Sequence, residues 1–152
     1  MEPVDLDEHL TTHFTWREAL VTTHRDCIPF QLAIPPTFRE NAVRMCLLME
    51  TARTLLGGRA IAVHSLYRSP ALNAAVGGAT RSQHLSAEAC DFHVAGRGLE
   101  DAFGVLVAGL VPMSWGQLIL EGRKGLPPSW IHLSLPDVPR RLVGQVLRIT
   151  DA

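Results

Sequence analysis

The sequence predicts an α+β fold, and three observations lead there. Helical and strand-like segments are interleaved without a regular βαβα alternation. Residues 35–56 carry apolar side chains at spacings of three and four, the mark of one long amphipathic helix. Four short apolar runs of strand length follow between turn signals. The 152 residues suit one compact domain, taken as 1–152. A chain of this size buries roughly 68–70% of the surface its unfolded form exposes, so it needs no covalent staples.

The elements follow in order. Thr15-Trp16-Arg17-Glu18 reads as a capping box, a hydroxyl at the N-cap and a carboxylate three residues on, so a short helix starts there. Pro35-Pro36 opens the long helix. Phe38, Ala42, Met45, Met49, Ala52 and Leu56 share one of its faces, and Gly57-Gly58 ends it. AIAVHS, residues 60–65, is a strand. RSPALNAAV, from Arg68, is a turn leading into a short helix with Pro70 near its start, broken at Gly77-Gly78. Residues 89–94 form a second strand and 99–110 an apolar helix. QLILE, 117–121, and WIHLSL, 130–135, are two further strands, joined by a long turn-rich stretch. Residues 140–149 close the chain as a short element.

Composition excludes several classes. Apolar residues make up 47% and charged residues 19%, a globular balance without the signature of disorder. A net charge of −1, with no basic stripe beyond Arg140-Arg141 and Arg148, gives no argument for nucleic acid or an anionic membrane. Cys27, Cys46 and Cys90 show no paired spacing, which fits a reducing compartment. MEPVDLDEHL lacks a basic stretch followed by an apolar one, so the expectation is cytoplasmic synthesis without a signal peptide. The longest nearly apolar run, residues 102–113, is too short to span a bilayer and holds two glycines and a proline. No membrane insertion is expected.

The chemistry concentrates in RSQHLSAEACDFHV, residues 81–94, and in WIHLSL. His84 precedes a strand. Asp91 lies on that strand among apolar neighbours, where an acid is costly unless paired or ligated. His132 has the same character, flanked by Trp130, Ile131, Leu133 and Leu135. A catalytic zinc takes three protein ligands and leaves a position for water, and two imidazoles with a carboxylate suit it. His93 shares the strand face of Asp91 by period-two alternation and is a further candidate donor. Cys90 points the opposite way, into the core. On spacing alone, the ordinary alternative stays open: hydrogen-bonded core histidines and a turn-capping acid.

SLYRSPALNAAVGGATRSQHLSAEACDFHV, residues 65–94, resembles the signature region of the M15 zinc peptidases, the D-Ala-D-Ala carboxypeptidases and L-alanyl-D-glutamate endopeptidases. The likeness is greatest to their small, phage-associated branch. HFTWREAL, LLGGRAIAVHSLYRSP, WGQLILE and SWIHLSL fall in the family's order, so the resemblance spans nearly the whole chain. It implies a small, mostly antiparallel sheet flanked by helices, like the Hedgehog signalling domain. It implies zinc (Zn2+) on His84, Asp91 and His132, and Arg68 as the group holding the substrate carbonyl or carboxylate and stabilising the oxyanion. Tyr67 and Ser82 are expected near the substrate, with Ser82 and Gln83 also shaping the loop.

Two positions depart from the family pattern. Ala87 stands where the motif has glycine; if that position needs φ > 0, alanine costs roughly 1 kcal/mol or more. Ser129 stands three residues before His132, where well-known members carry the catalytic acid. The phage-type branch uses a Glu in an LI-x-E setting, which maps to Glu121. Glu121 reaches His132 only if QLILE and WIHLSL pair as neighbouring strands.

The implied activity is hydrolysis of an amide bond in the peptidoglycan stem peptide, by a monomer acting at the cell wall after release or as a virion component. The alternative is a zinc-stabilised virion or binding module of the same fold without catalysis, which Ala87 and Ser129 favour.

Overall fold

A computed structural model of the chain describes residues 3–149. Five helices and five strands make an α+β structure around one mixed sheet. The helices are α1 (Trp16–Ala19), α2 (Ile28–Leu32), α3 (Pro36–Leu55), α4 (Pro70–Ala75) and α5 (Leu99–Gly109). The strands are β1 (Ile61–Ser65), β2 (Ala89–Val94), β3 (Gln117–Gly122), β4 (Pro128–Ser134) and β5 (Gln145–Ile149).

The sheet order is β1-β2-β4-β3-β5. All neighbours are antiparallel except β3 and β5, which are parallel. The sheet is therefore mostly antiparallel, as expected, and the closing element resolves into its one parallel strand. Parallel neighbours cannot be joined by a hairpin, and residues 123–144, with all of β4, make the crossover.

The capping box forms: Glu18 accepts from the Thr15 backbone N–H at 2.7 Å. The apolar stripe of α3 is realised, with Ala42, Met45, Met49, Ala52 and Leu56 fully buried and Phe38 packed at the core's edge. The α2 helix, with the 3₁₀ turn Arg25–Cys27 before it, was not legible in the sequence; it is five residues long and contains Pro29, too short for a period to show.

Alternation along the strands gives the sheet two unlike faces. Cys90, Phe92, Ile131, Leu133, Leu118 and Leu120 point to one, where α5 packs and where α3 completes the core. Cys90 sits there as expected, and burial pushes its thiol pKa well up. The other face has no long helix over it and carries Asp91, His93, His132 and Glu121. The turn-rich stretch after Glu121 becomes a hairpin whose second strand begins at Pro128. No helix among the described residues is long and apolar enough to cross a membrane.

Candidate metal centre

Asp91 on β2 pairs directly with His132 on β4, and His132 in turn with Ile119 on β3. Directly opposed residues of an antiparallel ladder share a face, so Asp91 and His132 meet on the open side. His132 Nδ1 is hydrogen-bonded to Asp91 Oδ1 at 2.8 Å. Both side chains are buried.

His84 arrives from outside the sheet. It lies on a 3₁₀ turn, Gln83–Ser86, whose N-cap Ser82 accepts from the His84 backbone N–H at 3.2 Å. Two further bonds fix it. His84 Nδ1 lies 2.7 Å from the Leu66 carbonyl, and the Arg68 N–H donates to the His84 carbonyl at 2.9 Å. A carbonyl can only accept, so Nδ1 carries the proton and Nε2 keeps its lone pair. That Nε2 is buried, has no hydrogen-bond partner, and lies 3.2 Å from Asp91 Oδ2. Burial lowers the His84 pKa, with Asp91 opposing. Burial pushes Asp91 upward, but its interactions with His84 and His132 outweigh this and hold the carboxyl well below its usual range.

An orphaned imidazole lone pair beside a carboxylate oxygen is expensive unless a cation sits between them. One ligand atom from each of His84, Asp91 and His132 lies within 4.8 Å of the others, a set that can hold a metal ion. Two imidazoles and a carboxylate match zinc chemistry, and the Leu66 carbonyl supplies the outer bond that fixes a ligand imidazole's tautomer.

These groups line a cavity of about 500 Å³ shared with His64, Arg68, Ser82, Glu121 and Trp130. Glu121 lies on β3 opposite Trp130, on the cavity face, with Oε1 4.0 Å from His132 Nδ1. Burial, helped by the Asp91 charge, raises its pKa. Arg68 Nη2 donates to Asp91 Oδ2 at 3.2 Å, Nε to Ser65 Oγ at 3.1 Å and Nη1 to Asn73 Oδ1 at 3.3 Å. The guanidinium thus lies on the cavity wall while bonded to the acid. A Cβ on Gly78 would meet Asn73 Oδ1 at 2.0 Å and Arg68 Nη1 at 2.9 Å, which explains a glycine there.

Tyr67 is not brought to the cavity. Its side chain is 2% exposed and packs against Phe38, while Arg68 beside it faces the opening. His93 also stays outside the cluster: its Nδ1 contacts His64 Nε2 at 2.6 Å. Ser129 is exposed, falls at an irregularity in the β3–β4 pairing, and does not line the cavity. Ala87 adopts φ 61°, ψ 31°, the left-handed conformation inferred for the motif glycine.

Gln31 on α2 went unnoticed in the sequence. It is 1% exposed. Its Nε2 donates to the Tyr67 carbonyl at 2.7 Å and its Oε1 accepts from the Ser69 N–H at 2.7 Å, clamping the backbone on both sides of Arg68. A glutamine near prolines in an unrecognised helix gives no local signal of this.

A family model described as Peptidase M15 matches residues 8–106. The chain belongs to the M15 peptidase family. Its members are metallopeptidases, and the His-Asp-His group of this M15 peptidase is compatible with zinc. The matched segment contains Arg68, His84 and Asp91; Glu121 and His132 lie beyond it and join the site through strand pairing. No curated protein matches the chain.

Proposed function

We propose that this M15 peptidase is a zinc enzyme that hydrolyses an amide bond of the peptidoglycan stem peptide, D-Ala-D-Ala or L-Ala-D-Glu. The observation that carries the reading is the buried His84 Nε2, unpartnered and 3.2 Å from Asp91 Oδ2, in a cavity that also holds Glu121. The fold is of the Hedgehog/DD-peptidase type, in one domain, and the chain is of the phage-associated branch. It acts as a monomer at the wall after release, or within a virion.

His84, Asp91 and His132 hold the zinc. When bound, the cation supplies Lewis acidity and lowers the pKa of a water toward neutrality. Glu121 would take a proton at its carboxylate from an attacking water and return it to the leaving amine nitrogen; burial and the nearby Asp91 charge, by raising its pKa, bring it closer to the value an efficient base needs near pH 7. Arg68 orients Asp91 and presents its guanidinium to the carbonyl or carboxylate of the substrate. Arg81 and Arg140 line an adjoining depression that shares Ser82, Glu121 and His132, which suits an anionic peptide.

Digestion of purified peptidoglycan by the zinc-loaded protein, with products identified by mass spectrometry, tests the reading. Fragments released by wild type and absent with His84→Ala establish the peptidase, and their masses name the bond. No fragments from several wall types would overturn it in favour of a zinc-stabilised module, the reading that Ser129 supports.

A further inference from the structure

A second group of metal-binding side chains stands beside the first. His64 on β1 and His93 on β2 meet on the open face, with Nε2 of one 2.6 Å from Nδ1 of the other and the rings edge-on at 76°. The backbone arranges this. Ala62 pairs with His93 and Val63 with Phe92, but the next pair is Ser65 with Asp91, so His64 is the extra residue of a β-bulge. Directly paired Ala62 and His93 share a face, and His64, two residues after Ala62, shares it too, so the two imidazoles stand side by side, with His64 on the cavity wall. Both residues are exposed.

We propose that His64 and His93 form a separate site for a divalent transition cation such as zinc, on the β1 wall of the cavity. Two imidazole nitrogens already converge on one point, and imidazole suits zinc, copper and nickel. A cation needs only a small opening of the pair: two nitrogens at about 2.0–2.1 Å from zinc in tetrahedral array stand roughly 3.3 Å apart. No net deprotonation is required. The proton now shared between the rings moves to an outward-facing nitrogen, and each ring, still neutral, offers one lone pair. Water completes the coordination because the pair faces solvent. A cation held there narrows the cavity from the β1 side. Neither residue belongs to the His84–Asp91–His132 group, so the inference does not depend on the peptidase reading.

Titration of the metal-stripped full chain with Zn2+, followed by calorimetry, tests it. Wild type is expected to take up two equivalents, the second roughly tenfold or more weakly because it has two protein ligands in place of three. His93→Asn, a change at an exposed position, is expected to take up one, the tighter. His84→Ala is expected to keep the weaker equivalent and lose the tighter, which separates the fate of the two sites. Saturation of wild type at one equivalent, or an unchanged count in His93→Asn with an unchanged melting temperature, would overturn the proposal.

Discussion

Asp91 and His132, 41 positions apart in the chain, face each other across β2 and β4 with Oδ1 and Nδ1 2.8 Å apart. The carboxylate's other oxygen lies 3.2 Å from both His84 Nε2 and Arg68 Nη2. One acid thus joins His84, His132 and Arg68. Replacing Asp91 or His132 by Ala is expected to weaken zinc binding by more than about a hundredfold, beyond what loss of an outer partner costs. Metal content after dialysis against a competing chelator measures it; full retention by either variant would remove that residue from the ligand set.

Glu121→Gln keeps the shape of the side chain and removes its basicity. Zinc content should be unchanged and turnover should fall by roughly 10²–10⁴-fold. A variant with wild-type turnover would show that the proton is handled elsewhere.

Ala87 tests the strain at the turn that carries His84. Its left-handed backbone costs alanine about 1–2 kcal/mol, which glycine would relieve. Its methyl group is fully buried, and losing it costs about 0.8 kcal/mol. Ala87→Gly should therefore be neutral or stabilising by up to about 1 kcal/mol, against the usual sign for that change. Urea denaturation reads the difference, and a loss above about 1 kcal/mol would mean that packing outweighs strain.

Gln31→Leu leaves the Tyr67 carbonyl and the Ser69 N–H without their partner in a buried place. Each orphaned group costs about 1–3 kcal/mol. The variant should be less stable by roughly 2–6 kcal/mol, and at temperatures where it remains folded it should lose turnover while keeping zinc. Unchanged stability would mean that water replaces the amide.

Glu50 ties the N-terminal segment to α3. Burial pushes its pKa up, but the Thr11 hydroxyl, the His13 backbone N–H and the His13 ring outweigh this and hold it below the ordinary value. A depressed folded pKa gives stability that is present above the unfolded pKa and lost as pH falls through the folded one. Wild type should therefore lose more stability than Glu50→Gln between pH 6 and about pH 3. Parallel melting curves across that range would show that the contacts contribute nothing.

Much of the fold was legible because it is locally encoded. The α3 stripe, the capping box, the glycine breaks and the four apolar strands each follow from a period or a cap within a few residues. His84 and Asp91 stood out as candidates chiefly through the resemblance of residues 65–94 to the M15 signature, with support from an acid amid apolar neighbours that needs a partner. The condition attached to Ala87, a motif position needing φ > 0, is met at φ 61°.

What the tertiary structure decided is long-range pairing. Nothing local says that β4 inserts between β2 and β3, which brings His132 to Asp91 and leaves Glu121, not Ser129, on the cavity face. Strand parity says which residues share a face, but the neighbour and its register are set by contacts distant in sequence. The same cause hid the parallel pairing of β5, the clamp from Gln31, and the meeting of His64 with His93. The sequence by itself named His84, Asp91, His132, Arg68 and Glu121 as candidates. Only the packing of the sheet determined which of them meet, because hydrogen-bonded registers and buried faces are chosen by the whole chain at once.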